Sequence, residues 1–264
     1  MDGVFLFKLA LSFLVGGIWV IAATMTADRL GPKIGGLIAG LPSTAMIGLF
    51  FLAWTQNPAA GAAATTVMPM TAGFTCFFIL TYCAFVSRNF WGAITTALFL
   101  WVILAFGMIK LHLQSFTLSL FGYILLFGAT LYLLEYGLHI RSVPGKKITY
   151  TSPQIIMRGL ASGTIIALAV YLGKIGGPTL GGMFSMFPAM FTSTILITYF
   201  SQGAQFSSAI MKSSMVSAIT TVIYAIAVRY TYIPAGIVLG TLISIAISFT
   251  SGYFIYKFFI KKLT

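Results

Sequence analysis

The chain has 264 residues, of which 59% are hydrophobic and 7% are charged, and its mean hydropathy is +1.02. These values lie far outside the range of a soluble domain and are typical of a polytopic membrane protein. The net charge of +12 comes from 15 Lys and Arg against three acids, scattered singly between apolar runs. Scattered cations flank membrane spans and do not form the continuous basic face that nucleic acid requires, so we expect the lipid bilayer, and no nucleic acid, as a partner.

Apolar runs of about 20 residues, the length that crosses a bilayer, recur along the whole chain. The first run lacks the basic segment that opens a signal peptide, so we expect it to be retained as a span. The pattern predicts about nine spans, near residues 4–26, 34–54, 63–86, 91–109, 116–136, 156–173, 179–200, 209–230 and 233–256. The predicted fold is therefore an all-α bundle of transmembrane helices.

The cations fall unequally on the two sides that nine spans define. One side carries Arg29, Lys33, Arg88, Arg141, Lys146, Lys147, Arg158, Lys257, Lys261 and Lys262. The other side carries Lys8, Lys110, Lys174 and Arg229. By the positive-inside rule, we expect a multi-pass protein of the cell inner membrane with its N-terminus outside and its C-terminus in the cytoplasm.

A short pattern occurs twice in the chain. Residues 31–42 read "GPKIGGLIAGLP" and residues 177–188 read "GPTLGGMFSMFP". The same offset of 146 residues also matches Gly17 with Gly163 and Gln56 with Gln202. The sequence therefore predicts two four-helix repeats, residues 1–110 and 151–264, joined by a linking helix and loop at 111–150. Five spans separate the repeat starts, so the second repeat should be inverted in the membrane, as in many secondary transporters.

Each copy of the pattern ends in a proline that should lie near the membrane midplane. A proline there removes a backbone hydrogen bond and interrupts its helix, and the free N–H groups of the new helix start favour an anion. The predicted substrate-binding residues are Pro42, Ser43, Thr44, Pro188, Thr192 and Lys212. The predicted helix-start motif consists of Gly31, Pro32, Gly35, Gly36, Gly177, Pro178, Gly181 and Gly182.

Two alternatives stay open for these residues. The glycines are also explained as small-residue packing faces, like the Gly236-xxx-Gly240 pattern of the last span. Lys212 is also explained as a side chain that extends to the cytoplasmic surface.

The remaining polar residues exclude several functions. Asp2, Asp28 and Glu135 are the only acids, and none forms a carboxylate relay or a metal-binding or catalytic cluster with other residues. We therefore expect no enzymatic activity, no cofactor and no metal. The hydroxyl-rich stripes of spans three, eight and nine should face protein and mostly serve helix packing.

The "GPxxGGxxxxxP" pattern followed by an aromatic-rich apolar run resembles the GlpM-like family, small uncharacterised integral membrane proteins. The resemblance covers residues 10–86 and 155–232, and it implies a duplicated membrane architecture without a substrate. The sequence favours a secondary transporter or exporter, a permease, for a small anionic or neutral solute. The alternative is a non-transporting membrane subunit or scaffold, and a homo-oligomer is also open.

Overall fold

The computed structural model describes residues 2–29, 42–141, 150–255 and 257, and within these ranges it is helical and contains no strand. The first half of the chain forms α1 (Gly3–Arg29), α2 (Ser43–Thr55), α3 (Pro58–Ala64), α4 (Met68–Phe85) and α5 (Phe90–Lys110). A linking helix, α6 (Phe116–Tyr132), continues as a π-helical turn at Leu133–Gly137. The second half forms α7 (Ser152–Gly176), α8 (Pro178–Ser185), α9 (Ala189–Ser217) and α10 (Ile219–Ile255). The predicted all-α class is confirmed for this part of the chain.

Six helical stretches of the described residues are long and apolar enough to cross a membrane. They are Gly3–Thr26, Met68–Phe85, Phe90–Lys110, Phe116–Gly137, Ser152–Gly176 and Pro178–Ile255. The last has 78 residues, nearly four times the roughly 20 residues that span a bilayer, so it must fold back on itself. The chain is thus a membrane protein, but the nine predicted spans do not appear as nine separate helices.

Glycines with positive φ interrupt the two longest helices. Gly203 has φ 86° inside α9, and Gly236 has φ 73° inside α10, two residues after Pro234. This left-handed conformation is open to glycine and strained for other residues. The Gly236-xxx-Gly240 pattern is therefore not a continuous packing face, because Gly236 is a helix break, whereas Gly240 does pack, with Thr231 O 3.1 Å from where a Cβ would stand.

Glycines bring α1 and α7, the first helices of the two halves, into close contact. A Cβ added to Gly17 would lie 3.1 Å from Gly159 O, and one added to Gly159 would lie 3.0 Å from Gly17 O. Gly163 meets the carbonyl oxygen of Phe13 in the same way. As the residue number rises along α1, its contact partner falls along α7, so the two helices run antiparallel at a distance that only glycine allows.

The interior of the bundle is apolar and includes the hydroxyl stripe of α10. A large cluster lies between α4, α5 and α6 around Trp101, whose Nε1 donates to Thr75 Oγ1 at 3.1 Å. Thr241, Ser244 and Ser248 are all buried, and Ser248 Oγ donates to the carbonyl oxygen of Thr220 at 3.0 Å. The expectation that this stripe faces protein is confirmed. Large exposed apolar side chains cover the outer faces of α1, α5, α6 and α10, as a lipid-facing surface requires.

Candidate functional site

Pro42 and Pro188 each stand directly before a helix, with nearly identical backbone angles. Pro42 has φ −74° and ψ 47°, and Pro188 has φ −76° and ψ 40°. The Pro42 carbonyl oxygen accepts from Met46 N at 2.7 Å, and that of Pro188 accepts from Thr192 N at 2.9 Å. The predicted interruption is present at Pro188, because α8 ends at Ser185 and α9 begins at Ala189.

The first turns of these two helices leave backbone donors free. The amides of Thr44 and Ala45 in α2, and of Met190 and Phe191 in α9, make no hydrogen bond to another described residue. Neither helix has a side-chain cap at its proline. Helix starts of this kind carry partial positive charge and orient N–H groups toward an anion or another acceptor.

A cavity of about 70 Å³ lies where these helix starts meet α4, α6 and α10. At the ~10–15 Å³ that one water needs, it has room for roughly five waters or one very small solute. Its lining is Thr44, Ala72, Thr75, Cys76, Ile79, Tyr123, Ser185, Met186, Phe187, Met190, Phe191, Met215, Ala218 and Thr221. We call this space the central cavity; its walls are mainly apolar and carry no charged side chain.

Hydroxyl groups supply the polar part of the central cavity. The side chains of Thr44, Tyr123 and Thr221 make no hydrogen bond to another residue in the described part of the chain. Thr75 Oγ1, by contrast, donates to Thr71 O at 3.1 Å and accepts from Trp101. The cavity can therefore offer hydroxyl and amide groups to a solute while its remaining walls exclude water.

Six lining residues form three pairs related by the offset of the sequence repeat. The pairs are Thr44 with Met190, Ala72 with Ala218, and Thr75 with Thr221, each separated by 146 residues. Both halves of the chain thus contribute equivalent positions to one cavity.

The predicted site residues are only partly brought together. Thr44 lines the central cavity and Pro188 lies between lining residues, whereas Ser43, Pro42 and Thr192 are not among the lining residues. The Thr192 hydroxyl donates to the carbonyl oxygen of Pro188 at 2.8 Å.

The helix-start motif is described in its second copy alone, since Gly31, Pro32, Gly35 and Gly36 lie outside the described residues. Gly177 has φ 88° and precedes Pro178 at the start of α8. A Cβ on Gly181 would collide with Leu52, and one on Gly182 with the carbonyl of Ala64. These two glycines act in helix packing, as the alternative interpretation held.

Lys212 matches neither sequence interpretation. Its side chain is buried, forms an ion pair with Glu135 and donates to the carbonyl oxygen of Ile140 at 2.7 Å. It does not line the central cavity, and its charge is balanced by Glu135, whose side chain is 42% exposed. The pair ties the end of the linking helix to α9.

A second cavity of about 410 Å³ lies beside this ion pair. It is lined by Cys83, Ala84, Val86, Ser87, Leu138, His139, Ile140, Arg141, Ala204, Gln205 and Ser208. Helices α4 and α9 contribute to the walls of both cavities. The second cavity lies nearer the C-terminal end of α4 and nearer to Gly203 in α9. Between them lie Lys212 and a buried chain in which Tyr82 donates to Ser207 Oγ at 2.8 Å.

Arg158 is the residue that sequence reasoning missed. It was counted with the charges of the cytoplasmic side, but it lies within α7 and is only 6% exposed. Its Nη1 donates to Thr194 Oγ1 at 2.8 Å, its Nη2 lies 3.9 Å from Met190 Sδ, and its Nε has no hydrogen-bond partner among the described residues. The predicted sixth span, 156–173, includes Arg158 near its start, whereas α7 begins at Ser152 and so places Arg158 about one turn deeper in the helix.

A match to a known protein family covers the first part of the chain. Residues 9–113 match the family model described as "Protein of unknown function (DUF3147)". The match begins within α1 and ends just beyond α5, at the boundary before the linking helix. No curated protein matches the chain. No solved structure matches it. The matched family is uncharacterised, which agrees with the resemblance noted from the sequence, but nothing links the chain to GlpM-like proteins in particular.

Proposed function

We propose that the protein is a secondary transporter built from two inverted repeats, and that it moves a small solute through the central cavity. The observation that carries this proposal is the lining of that cavity by three residue pairs with one common offset. In transporters with inverted repeats, the substrate site lies between the repeats, near their pseudo-two-fold axis. A chance cavity in a helical bundle would have no reason to draw on equivalent positions of both halves.

The packing of α1 against α7 supports inversion. Under the 146-residue offset, Gly17 corresponds to Gly163 and Phe13 to Gly159. Gly163 meets the Phe13 carbonyl oxygen, and Gly17 meets the Gly159 carbonyl oxygen at 3.1 Å, so exchanging the two halves turns one contact into the other. Self-complementary contacts of this kind characterise a two-fold interface. Equivalent helices that run antiparallel are also what an inverted repeat requires.

Interruptions of the helices follow the same offset. Pro42 and Pro188 precede corresponding helices, and Asn57, between α2 and α3, corresponds to Gly203, the break in α9. The family match to residues 9–113 gives independent support, because it treats α1–α5 as a unit. If each half contributes four crossings and α6 contributes one more between them, the chain would cross the membrane nine times, with the N-terminus outside.

The solute should be small and either anionic or neutral. Free helix-start amides and unpaired hydroxyls make the central cavity a hydrogen-bond donor, and no acid lines it, which disfavours a cation. Alternating access would connect this cavity in turn to each side, and the larger cavity beyond Lys212 provides an opening toward the cytoplasm in this topology.

Flux through reconstituted protein tests the proposal. Liposomes with purified protein would be loaded with a panel of radiolabelled or fluorescence-reported anions and small neutral solutes, and protein-free liposomes would be the control. We expect saturable flux of at least one solute, lost when Ala218 is replaced by Leu to fill the cavity. A well-folded protein that moves none of the panel would favour the alternative, a membrane subunit or scaffold.

Labelling of single cysteines tests the topology. Residue Gly145 and the C-terminus should react with a membrane-impermeant reagent only from the cytoplasmic side, and an N-terminal tag should be accessible from outside. Both termini on one side would contradict nine crossings and the inversion with them.

A further inference from the structure

Arg158 presents an unusual electrostatic situation inside the bundle. It is only 6% exposed, and no carboxylate of the described residues forms an ion pair with it. A buried guanidinium is costly unless a counter-charge and full hydrogen bonding offset its lost hydration. The contacts at hand are a threonine hydroxyl, a thioether and the ring of Tyr150 at 5.1 Å from the guanidinium carbon. None of these supplies a negative charge.

The start of α9 adds to the positive potential at this position. Met190, whose sulfur contacts Arg158, is the second residue of α9, and its amide and that of Phe191 are free. The positive end of a helix repels a cation, so the helix start does not stabilise Arg158. An anion between them would be attracted by both.

The unsatisfied donors of Arg158 lie on one edge of the guanidinium. Among the described residues, Nη1 donates to Thr194, whereas Nε has no partner and Nη2 has only the thioether of Met190 at 3.9 Å. The Nε and Nη2 groups together form the fork that binds the two oxygens of a carboxylate or phosphate. A thioether is a weak acceptor and satisfies this edge poorly.

Met190 also separates this edge from the central cavity. Met190 lines the cavity, and its sulfur contacts both Arg158 and Ser162, with Ser162 Oγ 3.2 Å from the sulfur. Methionine has three flexible torsions and moves aside at low cost. Displacement of this one side chain would join the guanidinium edge to the cavity.

We infer that Arg158 is the anion contact of the central cavity, and that the solute carries a small oxyanion, a carboxylate or a phosphate, which replaces the Met190 sulfur at the Nε and Nη2 edge. The inference rests on the proposed function for its cavity, and it narrows the solute from anionic or neutral to oxyanionic. Binding is independent of transport, so the two can fail separately.

Thermal unfolding of the purified protein in detergent tests the site directly. The probes are acetate and inorganic phosphate, each replacing part of the sodium chloride at constant ionic strength, and acetamide, the neutral isostere of acetate, added at the same concentration with the sodium chloride unchanged. We expect a saturable rise of Tm with acetate or phosphate and none with acetamide. A response to phosphate but not acetate identifies the oxyanion as phosphate and supports the inference. An equal response to acetamide, or no response to either oxyanion, overturns it.

Three variants test whether the rise of Tm with an oxyanion depends on Arg158 and Met190. Arg158→Lys keeps the charge but loses the fork, and Arg158→Met removes both, so each should weaken acetate or phosphate binding at least about tenfold. The matched control is Arg88→Met, which removes an exposed cation and should leave binding unchanged. Met190→Ala removes the competing sulfur and should tighten binding several-fold. Unchanged binding in Arg158→Lys and Arg158→Met, or weaker binding in Met190→Ala, contradicts the site.

The unliganded protein separates a binding role from a structural one. Since no carboxylate of the described residues compensates the buried charge of Arg158, Arg158→Met should keep or raise the Tm of the free protein. A large fall in that Tm would show that Arg158 holds α7 to α9, and would overturn the inference. Arg158-dependent binding without any flux would sink the transport proposal and leave the site standing. Flux of acetate or phosphate that is unchanged in Arg158→Met would overturn the Arg158 site and leave the transport proposal standing.

Discussion

The two halves of the molecule, residues 2–110 and 152–255, place their helix starts and breaks at corresponding positions but differ in where they carry charge. Arg158 corresponds to Ser12, a buried hydroxyl that donates to Leu9 O at 2.7 Å within its own helix. Lys212 corresponds to Thr66, which accepts from Arg229 Nη1 at 3.0 Å. Backbone geometry is shared because both halves need the same helix breaks to build a common cavity. Charge is not shared, which makes the two ends of the cavity chemically different.

This difference suits a transporter that faces unlike compartments. A fully symmetric molecule would offer the solute the same contacts from both sides. In the proposed transporter, a single cation beside one helix start, together with an ion pair beyond the cavity on one side, would give the two exits unequal energies. The comparison therefore predicts paired substitutions with equal effects where the halves agree, and unequal effects where they differ.

The largest effect is expected at the crossing of α1 and α7. Gly17→Leu and Gly163→Leu should each prevent folding, because the opposing carbonyl oxygens leave no room for a side chain. Gly17→Ala and Gly163→Ala should each cost about 1–3 kcal/mol through overpacking, with the larger loss at Gly163, where a Cβ would lie 2.5 Å from Phe13 O, against 3.1 Å from Gly159 O at Gly17. The Tm measures the loss of stability, and the yield of monodisperse protein measures the failure to fold. Gly107→Ala is the control, since a Cβ there meets nothing within 4 Å, and its stability should not fall.

A loss of stability at both positions is the essential result for the α1 and α7 crossing. If one of the pair Gly17 and Gly163 tolerated alanine while the other did not, the helices would cross without two-fold symmetry. The inversion would then lose its best support.

A second pair of substitutions tests the central cavity. Ala72→Leu and Ala218→Leu each add three carbon atoms to a space of about 70 Å³, so solute flux should fall at least about tenfold in both variants. The protein should remain folded, because the added atoms fill existing space. Ala10→Leu on the exposed face of α1 is the control and should leave flux unchanged. A loss in one variant alone would place the pathway within one half.

The charged positions should give unequal effects. Glu135→Gln removes the charge that balances the buried Lys212, although the new amide oxygen can still accept a hydrogen bond from it, and should cost roughly 1–3 kcal/mol, less than for a fully buried pair because Glu135 is 42% exposed. The double variant with Lys212→Met should recover part of that loss, giving a coupling energy of about 1 kcal/mol. Tm values of the four proteins in the cycle measure it.

The corresponding contact in the other half is the control for this cycle. Arg229→Met removes a hydrogen bond to Thr66 and a cation–π contact with Phe116 at 4.4 Å, and should cost about 1 kcal/mol. Equal losses of stability in Arg229→Met and Glu135→Gln would mean that the ion pair contributes no more to stability than the corresponding contact of Thr66.

The sequence alone was sufficient for the features that depend on local chemistry. Composition predicts an all-helical membrane protein, and the repeated pattern predicts helix starts after Pro42 and Pro188, because proline cannot continue a helix through its missing N–H. The break at Gly203 falls between the predicted spans 179–200 and 209–230, so the sequence predicts an interruption there. Gly203 corresponds under the same offset to Asn57, the N-cap of α3.

The candidate site was less predictable because it depends on contacts between distant segments. Lys212 and Glu135 are 77 residues apart, and nothing in their local sequences indicates that α6 ends beside α9. Arg158 and Thr194 likewise meet only because α7 packs against α9. The cations were interpreted mainly as charges that flank the spans, a rule that fails when a functional charge lies inside a span.

The smallest effect is expected at the two prolines. Alanine can adopt φ near −75°, so Pro42→Ala and Pro188→Ala should change stability by no more than about 1 kcal/mol. Alanine also restores a backbone N–H at position 188, which can donate to the carbonyl oxygen of Phe184 and let α8 continue into α9. The free amides of Met190 and Phe191 would then be satisfied within the helix, and flux should fall several-fold in each variant and further in the double variant. Flux and Tm measured together on the three proteins decide the matter: a folded double variant with unaltered flux would mean that the helix starts bind nothing, and that the duplicated Gly-Pro pattern serves packing alone.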